Sequence, residues 1–171
     1  MVTAVSEKKQ IAKRVAADIL AGCTLLIDSG NTCLEAARVL LQRSDCQIFT
    51  NSLPILVEAC QYLASVTALG GEVSSVSRAL IGSGTLSGLD TLQVDISLIG
   101  TRGLHEAEGA FTSESMEANV KTRAIRRAGQ AWGGFKWQHA AALRFAEWSD
   151  SQRWYIETHT DISFSPEYNF P

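Results

Sequence analysis

The sequence predicts an α/β protein built on an open, mostly parallel sheet with helices on both faces. Three observations point there. Short apolar runs of strand length, at 24–28, 46–50, 66–69 and 94–100, alternate with stretches whose apolar residues recur at helical spacing. The early runs alternate with helical stretches in steps suited to parallel crossovers, which are right-handed. The first three runs end in polar or glycine-bearing turns, and a parallel sheet gathers such turns along one edge, where ligands bind.

Residues 7–21 read as an amphipathic helix. Ile11, Val15 and Ile19 fall at i, i+4 and i+8 with Lys and Arg between them, and Gly22 closes it. The first strand follows and ends at Asp28. It gives way to Ser29-Gly30-Asn31-Thr32 and then to a helix marked by Leu34, Ala37, Leu40 and Leu41. Strand, turn and helix in this order make an anion site. The first helical amides are unpaired and carry partial positive charge, glycine lets the backbone come close, and hydroxyls donate. Thr32-Cys33-Leu34-Glu35 also reads as a capping box, with Thr32 as N-cap, and a cap needs no ligand.

The second strand runs into Thr50-Asn51-Ser52-Leu53-Pro54, where Pro54 suits the first turn of a helix continuing to Leu63. The third is broken by Gly70-Gly71-Glu72. Residues 73–91, with Gly82, Gly84 and Gly88, suggest a loop and a short helix. A strand at 94–100 leads to a loop at 101–112, long enough for a lid or binding loop. Residues 113–128 form a helix with acids early and bases late, as its dipole favours. Glu117 and Lys121 stand at i, i+4 and could form a surface ion pair. The remaining third is rich in aromatics, with Trp154-Tyr155-Ile156 as a late strand.

Composition sets bounds. At 171 residues and 46% hydrophobic content the chain supports one core. A net charge of −3, from 15 basic and 18 acidic residues, argues against a broad nucleic-acid-binding field. Basic residues cluster at Lys8-Lys9, Lys13-Arg14 and 121–127, which read as solvated helix faces. No apolar run reaches the roughly 20 residues of a membrane span, and no signal peptide is visible. Cys23, Cys33, Cys46 and Cys60 form no Cys-x-x-Cys pair. These features predict a soluble cytoplasmic protein without metal or other cofactor.

Four motifs now carry a resemblance. Asp28-Ser29-Gly30-Asn31-Thr32, Thr50-Asn51-Ser52-Leu53-Pro54, Gly70-Gly71-Glu72 and Glu117-x-x-x-Lys121 occur in the order found in the C-terminal sensor domain of DeoR-family regulators. The similarity spans roughly Lys8 to Asp161. It implies a Rossmann-like sheet related to sugar-phosphate isomerases and CoA transferases. It also implies a bacterial transcription factor, usually a repressor, whose sensor binds a phosphorylated sugar and modulates DNA binding, and which assembles as a homo-oligomer. By that resemblance Ser29, Gly30, Asn31 and Thr32 hold the phosphate, adjoining Asp28. Thr50, Asn51 and Ser52 line the sugar side, beside Gly70, Gly71 and Glu72. Asp95, Gly103, Glu117 and Lys121 match further positions near the site, with Lys121 a cationic partner for ligand oxygens. Two departures stand out: Asn31 and Cys33 replace hydroxyl residues of the family's first turn, and Gly133-Gly134-Phe135-Lys136 lacks the acid of its Asp-x-x-Lys, which weakens Lys136.

The expected division is 1–6 as a disordered or vector-derived leader, 7–162 as the sensor, and 163–171 as a tail. The family's helix-turn-helix is not among these residues, so DNA is expected as a partner only through a domain outside this chain; no membrane partner is expected. An isomerase or deaminase-like enzyme on the same fold is the alternative, with Glu72, Asp28 or Glu117 as general base. His105, His139 and His159 form no catalytic or metal-binding pattern. A third reading is an oligomerisation module using the aromatics from Trp132 to Tyr155.

Overall fold

The computed structural model describes residues 2–101, 103–105, 109–112, 114–135 and 153–156. Its central sheet has six strands: β1 (Thr24–Ile27), β2 (Gln47–Thr50), β3 (Ser65–Ala68), β6 (Val94–Gly100), β9 (Ala128–Phe135) and β10 (Arg153–Ile156). Their spatial order is β3-β2-β1-β6-β9-β10, and every neighbouring pair is parallel. The chain winds outward from β1 to β3, then returns to the other side of β1 and winds outward again. Right-handed crossovers taken in opposite directions put their helices on opposite faces. Helices α1 (Val2–Asp18), α2 (Asn31–Leu40) and α3 (Leu53–Ala59) pack on one face, and α4 (Gly82–Asp90) and α5 (Ser115–Arg126) on the other.

The strands are apolar because both faces are covered. Leu25 and Ile27 join Ile11, Ala37, Leu40, Ile48 and Ile55 in one core, while Leu26 turns to Leu89, Val120 and Ala124 in the other. Leu98 and Ile99 divide in the same way along β6. The period-2 alternation of a strand thus feeds two cores at once.

Several expectations are corrected. Helix α1 runs from Val2 to Asp18, where the sequence suggested 7–21; Gly22 lies in the following turn with φ 80°. Helix α3 stops at Ala59, and Leu63 is fully exposed. The stretch after Gly71 holds a hairpin, β4 (Glu72–Ser74) with β5 (Ala79–Ile81), ahead of α4. The long loop at 101–112 contains a second hairpin, β7 (Gly103–His105) with β8 (Gly109–Phe111). Short strands that share a turn leave little periodicity to read. Trp132 is a core residue at 3% exposure, so it is not part of an apolar interface. The other interface candidates from Trp137 to Trp148, Lys136 and the expected tail lie outside the described residues. The late strand at 154–156 is present as β10.

Candidate functional site

The winding direction reverses between β1 and β6, which places a crevice beyond their C-terminal ends, the general ligand position in open α/β sheets. A cleft of about 360 Å³ lies there, lined by Lys8, Ser29, Gly30, Asn31, Thr32, Val76, Ser77, Arg78, Gly100, Thr101, Glu117 and Lys121. That volume suits a small ligand.

The turn after β1 is shaped by glycine. Gly30 has φ 127° and ψ 156°, a region that essentially only glycine occupies, and it serves as the N-cap of α2. No side chain caps this helix. The capping-box reading therefore fails: Thr32 lies inside the first turn, and Glu35 instead pairs with Arg38 at 2.7 Å. The first intrahelical bond runs from Leu34 N–H to the Gly30 carbonyl at 2.9 Å, so the amides of Asn31, Thr32 and Cys33 precede the ladder. Asn31 and Thr32 line the cleft, at the positive end of the helix dipole. Across the seam, Gly100 is forced by packing: a Cβ there would stand 2.2 Å from the Ser29 carbonyl oxygen.

The floor of the cleft is a buried charge cluster. Asp28 is 2% exposed, and its carboxylate accepts from the Gly100 amide at 3.1 Å and from the Lys121 ammonium. Lys121, at 1% exposure, also meets Glu117 at 3.1 Å, while Glu117 accepts from the Thr112 hydroxyl at 2.5 Å. Burial alone would push the Lys121 ammonium down; Asp28 and Glu117 outweigh it and hold it above the usual lysine range. Cys33 behind them is pushed up to about 12, by burial first and then by Asp28. Lys121 is thus neither half of a surface pair nor a free cation. Two carboxyl groups already pair with it.

The remaining predicted residues fall into three places. Thr50, Asn51 and Ser52 are buried and engaged with backbone: Thr50 Oγ1 donates to the Ile27 carbonyl at 2.5 Å, Asn51 Nδ2 to the Leu80 carbonyl at 3.2 Å, and the Ser52 amide donates to Thr50 Oγ1 at 3.1 Å. They do not line the cleft; they anchor the β4–β5 hairpin beside it. Gly70, Gly71 and Glu72 are also off the cleft. Gly71 presses on α4, where a Cβ would meet Thr85 Oγ1 at 2.0 Å, and Glu72 lies against Gly82. Asp95 is at the opposite end of β6 from Gly100, accepting from the Thr24 amide at 2.7 Å. Five residues of strand separate those ends by about 16 Å. Gly103 opens β7, and Lys136 is outside the described residues.

Sequence reasoning missed Lys8, Gly100, Thr101 and the turn residues Val76, Ser77 and Arg78. Arg78 has φ 51°, a left-handed conformation that costs a side-chain-bearing residue about 1–2 kcal/mol. A lone Arg among serines carries no spacing signal. The Ser-rich turn between two short strands was the available cue.

Residues 3–157 match the family model described as the DeoR C terminal sensor domain. The chain belongs to this family. Among curated relatives of this sensor domain, the uncharacterized HTH-type transcriptional regulator FruR of Bacillus subtilis is 29% identical over 126 residues, covering 74% of this chain and 50% of the relative. The glycerol-3-phosphate regulon repressor of Escherichia coli is 32% identical over 124 residues, covering 72% and 49%. The sensor chain therefore spans about half the length of the curated relatives it matches. In fold it is similar to ribose 5-phosphate isomerase A from Methanocaldococcus jannaschii, with a TM-score of 0.55, 16% identity, and coverage of 75% of this chain and 51% of that one. No described helix is long and apolar enough to cross a membrane.

Proposed function

We propose that the cleft at the β1–β6 seam binds a phosphorylated sugar as the effector of a DeoR-type transcriptional regulator, in which ligand binding modulates DNA affinity. The observation that carries this reading is the uncapped start of α2, opening on a cleft whose floor is the Asp28–Lys121–Glu117 cluster. In this reading the amides of Asn31 to Cys33 and the Thr32 hydroxyl hold the phosphate. Lys121 and Glu117, fixed by their ion pair, take the sugar hydroxyls, one donating and the other accepting. Ser29 completes the wall, and Asp28 orients Lys121 without touching ligand. The names of relatives support a regulator: the Escherichia coli relative is a glycerol-3-phosphate regulon repressor, and FruR, though uncharacterized, is named as an HTH-type transcriptional regulator. Repression, a homo-oligomeric state, cytoplasmic location and DNA contact through a helix-turn-helix domain of the whole protein belong to the same proposal.

The test is a thermal-shift and calorimetric panel of glycerol 3-phosphate, fructose 1-phosphate, glucose 6-phosphate and their unphosphorylated parents. A phosphorylated member present at 100 times its Kd should stabilise the domain by about 2.7 kcal/mol, with no effect from its parent. Equal response to both, or to neither, overturns the reading.

A second reading, an aldose–ketose phosphate isomerase, is favoured by Glu117 lining the cleft beside an ammonium group, since isomerisation needs a carboxylate base near the substrate carbon. Glu72, an exposed candidate base, does not line the cleft. The sensor proposal expects binding without conversion. Product formation that disappears in Glu117→Gln would establish the isomerase instead.

A further inference from the structure

Two basic residues of the cleft, Lys8 and Arg78, stand outside the ion-pair network of Lys121, and Arg78 is the one held on a strained turn. It is exposed, lines the cavity, and its guanidinium has no ion-pair or hydrogen-bond partner among the described residues. Its backbone is nonetheless held in the left-handed region, at φ 51°, by bonds on both sides. The Arg78 carbonyl accepts from the Leu53 amide at 3.0 Å, and the Asn51 carbonyl accepts from the Leu80 amide at 2.7 Å. The turn is pinned at its other end, where the Ser77 amide donates to Ser74 Oγ at 3.2 Å and that hydroxyl donates to Glu114 at 3.0 Å. A strained residue kept in place by so many fixed partners points to a role for its side chain.

A second, independent observation lies next to it. The Ser77 and Thr101 hydroxyl oxygens are both shut off from solvent and both lack a hydrogen-bond partner. Both residues line the same cleft. Buried hydroxyls are ordinarily satisfied, so two orphans on residues that line one cleft leave donors that a side-chain rotation toward the cavity would bring to an occupant with polar oxygens.

We propose that the β4–β5 turn is the charge-selecting arm of this site: Arg78, with the Ser77 and Thr101 hydroxyls, grips the anionic group of the ligand from the side facing the start of α2. Resting on the sugar-phosphate reading, this assigns the selection for a phosphate monoester over its neutral parent to Arg78 and not to Lys121. The electrostatics agree. Lys121 is already engaged by Asp28 and Glu117, and the amides of α2 supply only partial charge, whereas Arg78 brings a whole unpaired cation with a planar donor fork matched to phosphate.

The experiment compares wild type with Arg78→Gly and Arg78→Lys by calorimetric titration, using the sugar phosphate that most raises Tm in the panel, its unphosphorylated parent, and inorganic phosphate. Glycine tolerates φ 51° without strain, so Arg78→Gly should fold at least as stably as wild type, read by urea unfolding. It should lose roughly tenfold to hundredfold in affinity for the sugar phosphate, with the salt dependence of binding reduced and any binding of the parent sugar unchanged. Arg78→Lys, keeping charge without the fork, should fall between. Undiminished sugar-phosphate affinity in folded Arg78→Gly overturns this assignment while leaving the effector reading intact. Failure of wild type to prefer any sugar phosphate to its parent overturns both.

Discussion

At the scale of single residues, the site depends on groups that cannot change charge without consequence. Cys33 sits fully buried behind Asp28 as a neutral thiol, pushed up to about 12 from an ordinary value of 9.0. Above pH 9.0 the unfolded chain gives up this proton while the folded chain keeps it, so stability falls as pH rises, by about 1.4 kcal/mol per unit once the unfolded thiol is ionised. Cys46, also raised by burial, adds to the same slope. Lys121 joins later. Its folded value lies above 10.5, so its contribution is whole below that pH and declines beyond it. Urea unfolding measured across pH 8 to 10.5 should therefore show a decline that is shallower in Cys33→Ala. Identical slopes in the two proteins would mean that the thiol is not held neutral by the fold.

At the scale of elements, α2 combines an uncapped start with a place on the cleft wall. Its first amides lack a side-chain partner because Gly30, needed for the turn, cannot cap them. Asn31 is exposed at the first helical position and lines the cleft. Asn31→Asp should place a negative charge against the helix dipole, raising stability by about 0.3–1 kcal/mol, and the same charge should repel an incoming phosphate. The expected signature is opposite signs: a higher Tm without ligand and a weaker sugar-phosphate Kd, by thermal shift and calorimetry. Both quantities improving together would remove the anion from this end of the helix.

The same element shows what a sequence can and cannot disclose. Thr24 to Thr32 read correctly as strand, glycine turn and helix, because apolar runs, glycine and helical periodicity are local signals. The capping box misled because Thr32 and Glu35 have the right spacing, and only the φ of Gly30 decides where the helix starts. Lys121 was singled out by its motif, but its environment was not legible: burial and a second carboxylate come from β1, far away in the chain. Thr50 to Ser52 and Gly70-Gly71 were recognised as special turns, yet their side chains and close approaches serve the hairpin and α4. Arg78 and Thr101 left no trace in periodicity, since each matters through tertiary placement alone.

At the scale of the whole molecule, the reversal of winding beside β1 explains why one crevice gathers residues from α1, α2, α5 and two turns. The cleft closes only when both halves of the sheet are present, because Ser29 to Thr32 follow β1 while Gly100 and Thr101 end β6. A ligand bound there touches both halves. It should slow global unfolding as well as shift its midpoint, and stopped-flow unfolding in urea with and without the best sugar phosphate checks this. An unfolding rate indifferent to saturating ligand would place the bound site in a part that opens on its own.

The sheet's connectivity also bears on how the protein is made. Its six strands include no hairpin, so every pairing waits for a crossover to close. The ion pair between Asp28 and Lys121 joins residues 93 positions apart, and the Gly100 amide reaches Asp28 across 72. Such non-local contacts reward the chain only after a long loop has been ordered, which makes for slow folding. On the ribosome, β1 and α2 emerge well before α5, and during that interval Asp28 has neither its ammonium partner nor its β6 amide. The cleft is consequently among the last features to form, and a nascent or partly folded chain lacks the place where the proposed effector would bind.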